Sequence, residues 1–150
     1  NVIPNFIYWA LKGYPLPITG TGDETRDFSY VGDLVDGLLR AGYYEKAVGE
    51  DINLAGGREI KIIELANMIN KLTKNKAEIK YTSRRKWDTK KRLLASIDKA
   101  KKVIGYKPST LFEDGLLKTV DWFKDNWEKI EQGAKFGPGV SSAVRSFYLK

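Results

Sequence analysis

The chain has 150 residues, 42% hydrophobic and 30% charged, with a formal net charge of +7, which is ordinary globular composition around one core. No apolar run approaches the roughly 18 residues that a transmembrane helix needs. Cysteine and histidine are both absent, which excludes thiol nucleophiles, disulfides, Cys/His metal sites and every histidine-based general base.

In chain order, Ile3, Phe6, Ile7, Ala10 and Leu11 recur at helical spacing, and Gly13 and Pro15 stop that helix. Leu16 to Ile18 reads as a short strand, Gly20-Thr21-Gly22-Asp23 as a turn, and Phe28 with Tyr30 as a second short strand. Val31, Leu34, Val35, Leu38 and Leu39 predict a helix with Asp33 as its N-cap. Asp51 to Ala55 predicts a buried strand closed by Gly56-Gly57, and Ile62, Leu65, Ala66, Ile69 and Leu72 the next helical face. A strand follows at Ala77 to Tyr81, then a helix capped by Ser96 that runs to Val103 and ends at Gly105. Thr110 and Glu113 have capping-box spacing before a long helix whose stripe is Leu116, Val120, Phe123, Trp127 and Ile130. The expected division is a lobe over 1–132 and an irregular tail over 133–150. Alternating helices and short, few strands predict an α/β domain with some parallel pairing.

The charge is concentrated. Positions 74 to 102 hold twelve Lys or Arg against Glu78, Asp88 and Asp98, a local +9 within a chain of +7. Such a block suits an anion, and the planar fork of arginine suits a phosphate better than lysine does. Trp87 and Tyr81 within it also allow a nucleic-acid-binding module by base stacking, although no helix-turn-helix, zinc-finger or RRM signature accompanies them. A solvated lysine-rich surface is the plain alternative.

Several segments in order carry a resemblance. These are Val2-Ile3-Pro4-Asn5-Phe6-Ile7, Leu16-Pro17-Ile18-Thr19-Gly20 and Thr25-Arg26-Asp27-Phe28-Ser29-Tyr30-Val31. Asn53-Leu54-Ala55-Gly56-Gly57, Arg85-Lys86-Trp87-Asp88, Gly105-Tyr106-Lys107-Pro108 and Glu113-Asp114-Gly115-Leu116 continue it. Together they resemble the C-terminal half of NAD-dependent nucleotide-sugar epimerases and dehydratases, the extended short-chain dehydrogenase/reductase family. The resemblance implies a small mixed sheet with several helices, the C-terminal lobe of that fold with its Rossmann core largely absent. It implies NAD as cofactor, held by a half not present here, and a UDP-sugar or other nucleotide-sugar as substrate. Neither nucleic acid nor membrane is an expected partner, and the full-length protein is expected to be a cytoplasmic homodimer. UDP-glucose 4-epimerase is the first activity implied, with 4,6-dehydratase and UDP-glucuronate decarboxylase as alternatives.

Residue roles follow from the same resemblance. Arg26 and Arg85 match the two arginines that contact the substrate diphosphate, and Asp88 an acidic residue near the nucleoside. Pro17, Ile18 and Thr19 match the short strand beside the base, Asn5 a polar position near sugar or phosphate, and Arg92 a variable contact position. Each has a simpler alternative: Arg26 could pair with Asp23 or Asp27, Arg85 could face solvent, and Asp88 could serve Arg84 or Arg85. The pattern departs from the family at Gly32, where an acidic residue is frequent, at Lys61, where a Ser or Thr cap is usual, and at Ser96, where relatives often have Asp.

The chemistry of the family needs a glycine-rich dinucleotide turn and a Tyr-x-x-x-Lys pair. No G-x-G-x-x-G or G-x-x-G-x-x-G occurs, and Gly20-Thr21-Gly22 runs into Asp-Glu-Thr-Arg. The single Tyr-x-x-x-Lys, Tyr8 with Lys12, lies inside the Asn-Phe-Ile helix, downstream of where a catalytic pair belongs. The sequence starts at Asn1 and its only methionine is Met68, so the expectation is a portion of a longer enzyme, inactive alone. Apolar residues of Val31 to Leu39 and Asp51 to Ala55 are then expected to lack packing partners.

Overall fold

The computed structural model describes residues 2–84 and 88–133. The helices are α1 (Val2–Leu11), α2 (Val31–Tyr43), α3 (Ile62–Thr73), α4 (Asp98–Ile104), α5 (Phe112–Asp125) and α6 (Trp127–Gly133). The strands are β1 (Leu16–Thr19), β2 (Thr25–Asp27), β3 (Glu59–Lys61), β4 (Ile79–Thr82) and β5 (Arg92–Leu93), with a 3₁₀ turn at Glu45–Ala47. Strands β1 and β4 form a parallel pair, and β3-β2-β5 a three-stranded sheet in which β2 and β5 run parallel. This is the small mixed α/β arrangement that the sequence predicts. The described chain divides into two compact units.

The first unit comprises residues 1–24, 61–90 and 116 onward. Its centre is β1, where Leu16 and Ile18 are fully buried beside α1 and α3. Helix α1 turns Phe6, Ile7, Trp9 and Ala10 inward, and α3 turns Leu65, Ala66 and Ile69 inward. Both match the apolar stripes of the sequence, which is what the 3.6-residue period dictates. Strand β1 sets its register on β4 by pairing Leu16 with Ile79 and Thr19 with Thr82. The stripe of the predicted long helix is real at Leu116, Val120, Phe123 and Ile130. The helix is nevertheless interrupted at Asn126, whose side-chain amide donates to the Trp122 carbonyl at 3.0 Å. The Asn126 N–H donates to the same carbonyl at 3.1 Å, so the ladder bond is kept there.

The second unit comprises residues 25–60 and 91–115. Its core gathers Ala55, Ile97, Ala100, Ile104 and Tyr106. The Tyr106 hydroxyl donates to the Ala55 carbonyl at 3.1 Å, and burial raises its pKa above the ordinary tyrosine value. Gly37 lets α2 approach this core, since a Cβ there would meet Leu54 and Tyr106 within 3 Å.

Four local expectations are corrected in this unit. The second strand is Thr25–Asp27, ahead of Phe28 and Tyr30. Residues 51–55 form no strand, and the strand instead follows Gly56-Gly57 at Glu59–Lys61. Gly56 lies so close to the Phe28 carbonyl that a Cβ would meet it at 2.4 Å, and Gly57 has φ +70. Those glycines therefore serve a backbone crossing rather than closing a strand. Asp33 is not an N-cap; Tyr30 holds that place, and Asp33 sits in the first turn of α2. Ser96 caps one step early: Ile97 is the N-cap of α4, while the Ser96 hydroxyl accepts from the Asp98 N–H and donates to its carboxylate. Gly105 ends α4 in the left-handed conformation, as expected.

The predicted tail from residue 134 onward lies outside the described residues. Among the described residues no helix is long and apolar enough to cross a membrane.

Candidate functional site

Within the first unit, Pro17 and Ile18 are buried on β1 and Thr19 is half-buried at its end. Strand β1 belongs to a two-stranded sheet, so its ladder occupies only one edge of its backbone. The Thr82 hydroxyl donates to the Ile18 carbonyl at 3.3 Å, and the Gly20 N–H to the Thr82 carbonyl at 2.9 Å. Asn5 lies half-buried on α1. Asp88 is half-buried, and its backbone carbonyl accepts from Arg84 Nε at 2.6 Å. Arg85, the second predicted diphosphate arginine, lies outside the described residues.

Within the second unit, Arg26 is half-buried on β2, and its Nη1 donates to the Thr25 carbonyl at 2.8 Å. Asp23 pairs with Lys61 at 3.0 Å, which holds its carboxyl below the usual value, and Asp27 accepts the Gly57 N–H at 3.1 Å. Asp27 Oδ1 is buried with no hydrogen-bond partner among the described residues. Arg92 on β5 forks onto Glu59, with Nε and Nη2 each 2.8 Å from one carboxylate oxygen. The Thr25 hydroxyl adds a bond to Glu59 at 2.6 Å. The Arg92 and Thr25 hydrogen bonds hold the Glu59 carboxyl below its ordinary range.

Part of the basic block is thus already answered by this chain. Arg92 faces Glu59, Lys99 pairs with Glu50 at 2.6 Å, and Arg84 lies near Glu24. Tyr81 is exposed, and Trp87 lies outside the described residues.

The Tyr8–Lys12 pair is committed to structure. Lys12 pairs with Glu131, and its ammonium lies 5.4 Å from the centre of the Trp127 ring, which itself stacks on Tyr8 at 5.2 Å. The hydrogen bond to Glu131 raises the Lys12 pKa, which disfavours the neutral amine.

The Gly20-Thr21-Gly22 turn is filled from within the chain. Gly20 and Gly22 take positive φ of 93 and 84, and the Gly22 N–H donates to Glu24 Oε2 at 3.1 Å. A carboxylate of this chain occupies the turn, so these residues do not fit a dinucleotide. Among the described residues Glu24 and Asp33 are buried acids, the first without a signal in the sequence and the second expected only as a cap. Asp33 accepts from the N–H and hydroxyl groups of Ser109 and Thr110 at 3.1–3.3 Å. It ties the loop before α5 to the first turn of α2. The run Ser109-Thr110 was a visible donor cluster, but nothing local in sequence pairs it with Asp33.

Fold and motifs together place the chain in the extended short-chain dehydrogenase/reductase family. The chain belongs to the GDP-mannose 4,6 dehydratase family, whose profile matches residues 1–119. It is 36% identical over 128 residues to UDP-glucuronic acid decarboxylase 1 of Xenopus tropicalis, covering 85% of this chain and 30% of that protein. The structure of epimerase Mth375 from Methanothermobacter thermautotrophicus superposes with a TM-score of 0.87 at 52% identity, covering 89% of this chain and 40% of that one. The Bordetella bronchiseptica enzyme WbmF in complex with NAD+ and UDP gives 0.75 at 39% identity, covering 88% and 39%. The chain therefore spans about a third to two fifths of the length of these relatives.

Proposed function

We propose that this chain is the nucleotide-sugar-binding portion of an NAD-dependent sugar epimerase of the UDP-glucose 4-epimerase type. The observation that carries this reading is the likeness to epimerase Mth375 at 52% identity and TM-score 0.87. UDP together with NAD+ in the WbmF structure supports the substrate and cofactor classes. Arg26, Arg85 and Asp88 are the diphosphate and nucleoside contacts, and Pro17, Ile18 and Thr19 present strand backbone to the base. Asn5 and Arg92 are accessory contacts; Arg92 reaches a ligand only by leaving Glu59. NAD is bound by a portion of the enzyme outside these residues. The whole enzyme is a cytoplasmic homodimer.

A guanidinium group suits a diphosphate because each of its charge-assisted bonds is worth roughly 1.5–3 kcal/mol. Arg26→Ala or Arg85→Ala in the full-length enzyme is therefore expected to lose roughly 2–3 kcal/mol, weakening UDP binding about 30- to 150-fold in a calorimetric titration. UDP binding by both variants at wild-type strength would overturn the assignment. The 150-residue chain alone, given NAD+ and UDP-glucose, is expected to show no turnover, because Lys12 is held by Glu131 and Trp127. A second reading, a decarboxylase portion, is favoured by the 36% identity to UDP-glucuronic acid decarboxylase 1. Release of carbon dioxide from UDP-glucuronate by the full-length enzyme separates the two.

A further inference from the structure

Glu24 is an acid in an unusual place: it is 8% exposed, and a buried carboxylate is costly unless it is paired and hydrogen-bonded. The turn before it is built around that carboxylate. The Gly22 N–H donates to Oε2 at 3.1 Å, and a Cβ on Gly20 would come within 2.7 Å of Oε1. The backbone on both sides is fixed as well, since Ile62 and Ile63 at the start of α3 donate to the Glu24 and Gly22 carbonyls. Glu24 is therefore a rigid negative point, set by backbone rather than by a flexible surface chain.

Among the described residues the cation beside it is Arg84, whose Nη1 lies 3.9 Å from Oε1. That separation attracts by charge without making a hydrogen bond. The short contact of the guanidinium is elsewhere: Nε donates to the Asp88 carbonyl at 2.6 Å. Nη2 is buried with no hydrogen-bond partner among the described residues. A pair selected only for stability would satisfy that donor, since a buried unpaired N–H costs about 1–3 kcal/mol. The geometry sacrifices it to hold Nε against the backbone of residue 88.

We infer that Glu24 and Arg84 are positioning residues for Asp88, a relay in which the buried carboxylate orients the guanidinium and the guanidinium fixes the backbone of the nucleoside-contacting acid. This inference rests on the proposed reading of Asp88. Glu24 and Arg84 touch no substrate in this arrangement; they set where Asp88 stands.

The test is calorimetric titration of UDP, and separately of inorganic pyrophosphate, into the full-length enzyme and its variants. Glu24→Gln keeps an acceptor for Gly22 and removes only the charge; Arg84→Lys keeps the charge and removes the Nε donor. Each is expected to weaken UDP about 5- to 20-fold while leaving pyrophosphate binding and the melting temperature unchanged, because pyrophosphate lacks the nucleoside. The double variant is expected to be no weaker than Arg84→Lys, since both act through one contact. If Asp88→Ala loses UDP affinity while Glu24→Gln and Arg84→Lys bind UDP as wild type, the relay is wrong and the site reading stands. Equal losses for UDP and pyrophosphate with a lowered melting temperature would reduce the pair to a structural one and overturn the relay. If Asp88→Ala and Arg26→Ala both leave UDP binding intact, the site reading itself fails and the relay with it.

Discussion

Helices α2 and α3 carry apolar stripes of the same period, yet they end in opposite environments. In α3, within the first unit, Leu65, Ala66 and Ile69 are fully buried beside β1 and α1. In α2, within the second unit, Val31, Val35, Leu38 and Leu39 stand 65%, 48%, 64% and 70% exposed. The period of a stripe dictates a helix and the face it will bury, but not whether the partner of that face lies in the same stretch of chain. The expected lack of partners is met on α2. It is not met over residues 51–55, where Ile52 and Leu54 pack on the core around Tyr106.

Paired truncations break or sharpen this comparison most directly. In the 150-residue chain, Ile69→Ala is expected to cost about 3–4 kcal/mol, the usual loss for a buried aliphatic side chain with its cavity. Leu38→Ala in the same chain is expected to stay within about 0.5 kcal/mol, as surface substitutions do. In the full-length enzyme, where a covering surface is expected over α2, Leu38→Ala is expected to cost about 2 kcal/mol or more. Urea midpoints for both variants in both chains give the comparison. An equal, negligible effect of Leu38→Ala in both would show that α2 is never covered.

Asp33 is the next lever, because it organises the second unit at the foot of the same exposed helix. Its buried carboxylate collects four donors from Ser109 and Thr110, and bonds to a charged acceptor are worth roughly 1.5–3 kcal/mol. Asp33→Asn replaces one acceptor oxygen with a donor that faces other donors. A loss of about 2–3 kcal/mol in the urea midpoint is expected, with hydrogen exchange accelerating at Ser109 and Thr110.

Much of this was legible beforehand, and what was not has a common cause. The stripes of α1, α3 and α5 and the stop at Gly105 follow from local spacing, and each stands where it was expected. The long helix is interrupted at Asn126, where the backbone N–H and the side-chain amide both donate to the Trp122 carbonyl. The strand expected at 51–55 moved to Glu59–Lys61 because Gly56 must pass against the Phe28 carbonyl, a contact no local pattern contains. Asp33 was read as a cap because its donors lie more than seventy residues away. The relation of Glu24 to Arg84 spans sixty residues and has no signature within either segment.

The smallest effect concerns pH and the edge of the second sheet. The hydrogen bonds from Arg92 and Thr25 lower the Glu59 carboxyl below its ordinary value. A depressed carboxylate contributes stability that is fully present above its unfolded value and is lost as pH falls through the folded one. Wild type and Glu59→Gln should therefore differ in urea midpoint above about pH 4.5 and converge as the pH falls below the lowered value. The difference should shrink further in high salt, because Arg92 is largely exposed. Adding UDP to the full-length enzyme separates the two roles open to Arg92. If the arginine leaves Glu59 for a ligand, the acid-side difference between wild type and Glu59→Gln narrows when UDP is bound. If the difference is the same with and without UDP, Arg92 belongs to the sheet and not to the site.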